Sequence, residues 1–122
     1  MTGFPRWIAL LLLIFAPATA FSDEGSEKAY ELNRQGMIDM SEAKFDEAIL
    51  LFQQAFRLKS DYEISGKPLI YTPLFMTAWA YEKTGDIPKA CENFRLFIER
   101  AGSRAEPSKK EHADHFIKDH CK

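Results

Sequence analysis

The sequence has no basic stripe. Its 16 Lys and Arg are outnumbered by 18 Asp and Glu, and the net charge is −2. Binding to a phosphate backbone needs clustered positive charge, so nucleic acid is not an expected partner. There is also no glycine-rich phosphate loop, nucleophile elbow or strand-borne pair of acids, so the chain is not expected to be an enzyme and no cofactor is implied. No stretch alternates polar and apolar residues for long enough to form a strand, and the expected fold is all-α. Long apolar runs are absent too. The longest, Trp7 to Ala16, covers ten residues, well short of the roughly 20 that a bilayer requires.

That run has another reading. Arg6 precedes it, and Pro17 with the small-residue site Ala18-Thr19-Ala20 follows, which is the basic, apolar, cleavable order of a secretory signal. The expected domains are a signal peptide at 1–20 cleaved after Ala20, a helical body over 21–106, and a closing helix over 107–122. The protein would then be periplasmic or secreted, with no stable membrane anchor after cleavage. Cleavage removes Arg6 and no acid, so the mature chain stays mildly acidic. The two cysteines, Cys91 and Cys121, would fold where disulfides persist. They either pair as one cross-link or remain independent thiols.

After a short lead-in at Phe21–Gly25, helical spacing begins. From Ser26 the apolar and small residues Ala29, Leu32, Gly36 and Met40 recur at three- and four-residue steps. A break at Ser41–Lys44 precedes Phe45, Ala48, Ile49, Phe52, Ala55 and Phe56, the strongest amphipathic pattern in the chain. Periodicity lapses over Ser60–Thr72, where Gly66 and Pro68 mark a loop. Thr72 as N-cap with Pro73 in the first turn then restarts a helix that stops at Gly85. Asp86 caps the next, which carries Ile87, Ala90, Cys91, Phe94, Phe97 and Ile98. The tail from Pro107 places Ala113, Phe116 and Ile117 on one side of a short last helix.

The chain matches itself at an offset of 42 residues. Leu32 pairs with Leu74, Gly36 with Ala78, Phe45 with Ile87, Ala48 with Ala90, and Phe52 with Phe94. These spacings resemble the tetratricopeptide repeat (TPR), a helix-turn-helix unit in which small residues allow close helix crossing. The resemblance covers roughly residues 26–102, as two units at about 26–60 and 71–102. The first departs from the pattern where Asp39 replaces the aromatic of the first helix and Ala43 replaces the turn glycine. The implied architecture is two TPR-like hairpins plus a C-terminal capping helix, a fragment of a right-handed α-solenoid. In that packing Cys91 faces the closing helix that carries Cys121, which makes a bridge between them reasonable.

The resemblance also implies a function. First helices of such units line a concave groove that receives a peptide or a partner segment, and the matching positions are Tyr30, Asn33, Met37 and Met40 in the first unit, with Thr72, Phe75, Trp79, Glu82 and Lys83 in the second. The expected role is a protein-binding adaptor or scaffold. The groove is unusually apolar, and the clamp some family members use for a terminal carboxylate is not reproduced, its key sites holding Asn33 and Met37. The closing helix or the Ser60–Thr72 segment folding over the groove would instead make these residues core. Two other readings are a structural subunit of a larger envelope complex and, through the tail, a metal-binding protein. His112, His115 and Asp119 share a helix face at i, i+3 and i+7. The competing reading of that tail is a solvated polar face.

Overall fold

A computed structural model describes the backbone of residues 25–59, 61–64 and 67–122, and the side chains of 25–59 and 71–122. The expected signal, its cleavage point and the lead-in up to residue 24 lie outside the described residues.

Five helices account for the packed part of the molecule. Helix α1 covers 25–41, α2 Phe45–Leu58, α3 Thr72–Thr84, α4 Ile87–Ala101 and α5 Pro107–His120, with a single 3-10 turn, Gly102–Arg104, before the last. The amphipathic spacing decides which faces are buried. Helix α2 buries Ala48, Ile49, Phe52 and Ala55, and α4 buries Ala90, Cys91, Phe94, Phe97 and Ala101. Helix α3 lies between them and is buried almost all round, from Thr72 to Ala78 and again at Ala80. Of its two buried polar side chains, Thr72 and Thr77, the latter satisfies its hydroxyl by donating to the Pro73 carbonyl at 2.8 Å. Phe52, Phe94 and Phe97 are the large side chains wholly removed from water, together with Pro73.

Small residues set how close the helices come. A Cβ built on Gly36 of α1 would lie 2.5 Å from the Phe52 ring of α2, so only glycine fits there. Further along the same pair, Ala29 meets Ala55, with Leu32 packed against both.

The two inter-helix turns share one hydrogen-bond pattern. In the first, Ala43 N–H donates to Met40 O at 3.0 Å and Lys44 N–H to Asp39 O at 2.8 Å. In the second, Gly85 N–H donates to Glu82 O at 3.1 Å and Asp86 N–H to Tyr81 O at 3.0 Å. Each bond has its counterpart 42 residues away. Ala43 therefore keeps the turn that its missing glycine put in question, by adopting φ 59°. Asp86 caps α4 as expected, accepting from Lys89 N–H at 3.3 Å.

Two local expectations need correction. The segment read as a loop carries a short antiparallel hairpin, β1 Asp61–Ile64 and β2 Lys67–Ile70, with Tyr62 opposite Leu69. Alternation is confined to the four residues of β1, Asp-Tyr-Glu-Ile, while β2 reads Lys-Pro-Leu-Ile, and Pro68 is tolerated because a two-stranded ladder has only edges. The N-cap of α3 is Tyr71 rather than Thr72. Tyr71 takes φ 53°, and its carbonyl accepts from the N–H groups of Leu74 and Phe75.

Helix α5 is held at several points. Phe116 packs on Phe94 with ring centres 5.0 Å apart, Arg95 donates to the Lys122 carbonyl at 2.9 Å, and Cys91 and Cys121 form a disulfide. Of the two alternatives for the cysteines, the paired one is realised.

Candidate functional site

The residues that open to solvent on one side of the bundle come from four helices. Met37 and Met40 lie late on α1, Phe45 begins α2, Met76, Trp79 and Lys83 follow one face of α3, and Ser41 completes a cleft of about 380 Å³. A second lobe of about 330 Å³ is lined by Met37, Phe75, Met76, Trp79, Ser108, Lys109 and His112. Met37, Met76 and Trp79 belong to both, so the lobes meet across these three side chains.

Helical spacing explains the α3 wall. Met76, Trp79 and Lys83 stand at i, i+3 and i+7 and share one face. Phe75 precedes Trp79 by one turn but is 7% exposed, because α4 and α5 both lie against it. Its ring meets Phe94 at 5.6 Å, Phe97 at 5.3 Å and His112 at 5.7 Å, all edge-on. Phe75 is thus a core residue that touches the cleft along one edge.

Cations sit over two of the rings. Lys83 Nζ lies 5.5 Å from the Trp79 ring centre and Lys109 Nζ 5.8 Å from that of Phe75. Lys109 also pairs with Glu106 at 2.6 Å, and Ser108 donates to the same carboxylate at 3.1 Å. The Lys109 hydrogen bond and charge, with a lesser hydrogen bond from Ser108, hold the Glu106 carboxyl below the usual carboxylate range against the opposing effect of burial. Across the α3–α5 seam, His112 Nε2 and Glu82 Oε1 are 2.8 Å apart.

Five of the expected groove residues line the cleft: Met37, Met40, Phe75, Trp79 and Lys83. Glu82 is engaged by His112 instead. Tyr30 stands 40% exposed away from both lobes, and Asn33 is 5% exposed, its Nδ2 donating to Met37 Sδ at 3.7 Å. Ser41, Phe45, Met76, Ser108, Lys109 and His112 are additions. Met76 was findable, since it lies three residues before Trp79. Ser108 and Lys109 depend on where α5 docks, which no spacing announces. Helix α5 walls one lobe but does not fill it.

The tail residues considered for metal do not converge. His112 is taken up by Glu82, whereas His115, 74% exposed, faces Asp119 at 3.8 Å. Among the described residues no three His, Cys, Asp or Glu side chains are grouped to hold an ion, and no helix is long and apolar enough to cross a membrane.

Comparison with family models, with curated proteins and with solved structures returns no match.

Proposed function

We propose that the chain is an exported adaptor, a fragment of right-handed α-solenoid made of two tetratricopeptide-like hairpins and a capping helix. It captures an apolar segment of another protein in the two-lobed cleft. The observation that carries the reading is the cleft itself, a pair of lobes that share two methionines and a tryptophan on the face where first helices of such units would receive a partner. Methionine repacks around differently shaped side chains, and tryptophan supplies a large contact area at little entropic cost. The 42-residue self-match and the equivalent bonds of the two turns support the repeat reading. The signal-like order of residues 1–20 and a disulfide, a bond at home in oxidising compartments, support export.

Trp79 tests the function directly. Wild-type protein and Trp79→Ala, matched for helicity by circular dichroism, are used as bait on envelope extract and the captured proteins quantified by mass spectrometry. The adaptor reading expects at least one protein retained by the wild type and lost with Trp79→Ala. Identical captured sets would sink it.

A further inference from the structure

Taken together, the described residues lining the two lobes include two lysines, a histidine and no carboxylate. That is unexpected for a chain in which acids outnumber bases 18 to 16. Of the carboxylates close by in the chain, Glu82 is engaged by His112 and Glu106 by Lys109, and neither lines a lobe. Lys83 has no carboxylate partner among the described residues, its recorded contact being the Trp79 ring. Lys109, its side chain 23% exposed, forms an i,i+3 pair with Glu106, whose side chain is 56% exposed, so it is the Glu106 carboxylate that can turn to solvent and leave Lys109 to a ligand's carboxylate.

The two cations mark opposite lobes. Lys83 belongs to the lobe that holds Met40 and Phe45, Lys109 to the one that holds Ser108 and His112, and the shared side chains Met37, Met76 and Trp79 stand between. We infer that the occupant is an acidic segment of another protein, in which bulky apolar side chains enter the two lobes and flanking carboxylates meet Lys83 and Lys109. The inference rests on the adaptor reading and adds the partner's charge to it. Rim charges of this sort steer encounter and select partners more than they add affinity, so the expected signature is discrimination between sequences.

Three fluorescein-labelled peptides with the same two leucine anchors, flanked by glutamate, glutamine or lysine, test this by fluorescence anisotropy on the full chain. The glutamate peptide is expected to bind about tenfold tighter than the glutamine one, the sum of two rim ion pairs, and the lysine peptide weakest of all. The preference should shrink between about 0.05 M and about 0.5 M salt, where screening removes most of such an interaction. Lys83→Glu with Lys109→Glu should invert the order, with unchanged helicity showing that the fold survives. Equal binding of the three peptides would overturn the charge inference and leave the apolar cleft standing. No binding by any of them would overturn the adaptor reading with it. If sedimentation shows a dimer that Trp79→Ala dissociates, the occupant is a second copy and the inference likewise fails.

Discussion

Ala43 and Gly85 close the two hairpin turns with the same left-handed backbone, φ 59° and 82°, and the same pair of hydrogen bonds. For glycine that conformation is free of steric cost, whereas for alanine it costs about 1–2 kcal/mol. Ala43 is exposed, so removing its methyl group forfeits no packing. Glycine loses about 0.4–1 kcal/mol more backbone entropy on folding, which offsets part of the gain. Ala43→Gly is therefore expected to stabilise the protein by about 0.5–1 kcal/mol. The check is a higher urea midpoint with an unchanged slope; a lower midpoint would mean that the turn carries no strain.

The opposite substitution at Gly36 should go the other way. Alanine in a helix interior is worth about 1 kcal/mol over glycine, but its Cβ would stand 2.5 Å from Phe52 Cε1 and 2.8 Å from Cδ1. Phe52 is wholly buried and has no room to retreat, and overpacking of this kind costs typically about 1–3 kcal/mol. Gly36→Ala is expected to lose about 1–2 kcal/mol net. Combined with Phe52→Leu, it should cost less than the sum of the two single changes, because the smaller side chain vacates the space the methyl needs. Additive losses in chemical denaturation would show that the two residues do not press on one another.

The disulfide joins α4 to the end of α5 across a sequence separation of 30. A loop of that length confines the unfolded chain by about 3–4 kcal/mol. Replacing Cys91 and Cys121 with serine should lower stability by roughly that amount. Helix α5 buries only Ala113 and Phe116, so in the serine variant its amides should exchange with solvent well before those of α2 to α4. Intact mass should rise by two hydrogens on reduction of the wild type. An unchanged mass, or uniform exchange across the helices, would remove the clasp.

How much of this was legible beforehand depends on how local the cause is. The faces of α2 and α4 follow from apolar spacing within one helix, and Ala48, Phe52, Ala90 and Phe94 are wholly buried where that spacing puts them. The cap at Asp86 and the stop at Gly85 were equally local. The hairpin at 61–70 was not, since four residues a strand carry too little alternation to tell strand from loop. Phe75 shows where a groove position carries more than the resemblance implies. It lines the second lobe as the resemblance places it, but His112 and Lys109 of α5 also come over its ring. That approach is tertiary and leaves no mark in the spacing of α3.

Phe75 and Trp79 should consequently part company on truncation. Phe75→Ala opens a cavity among Phe94, Phe97 and His112 and is expected to cost about 3–5 kcal/mol. Trp79 is only partly buried at the junction of the lobes, and its truncation should cost about 1–2 kcal/mol while removing the main anchor of the cleft. Thermal unfolding of the two variants side by side decides the matter. Equal losses would place Trp79 in the core.

Glu106 ties the start of α5 to the acid limb of stability. Its carboxyl is held below the usual range by Lys109 at 2.6 Å and, secondarily, by Ser108. A carboxyl depressed in the folded state contributes stability that is complete above its unfolded value, and the contribution is lost as pH falls through the folded one. The wild type should therefore exceed Glu106→Gln near neutral pH and converge with it as acid protonates the carboxyl. Its side chain is 56% exposed, so solvent screening limits the difference to about 0.5 kcal/mol or less. Urea midpoints of both proteins, taken stepwise from about pH 6 to about pH 3, follow the effect. A gap that stays constant through that window would mean that the pair with Lys109 does not act on the carboxyl's titration, and that Glu106 contributes through contact alone.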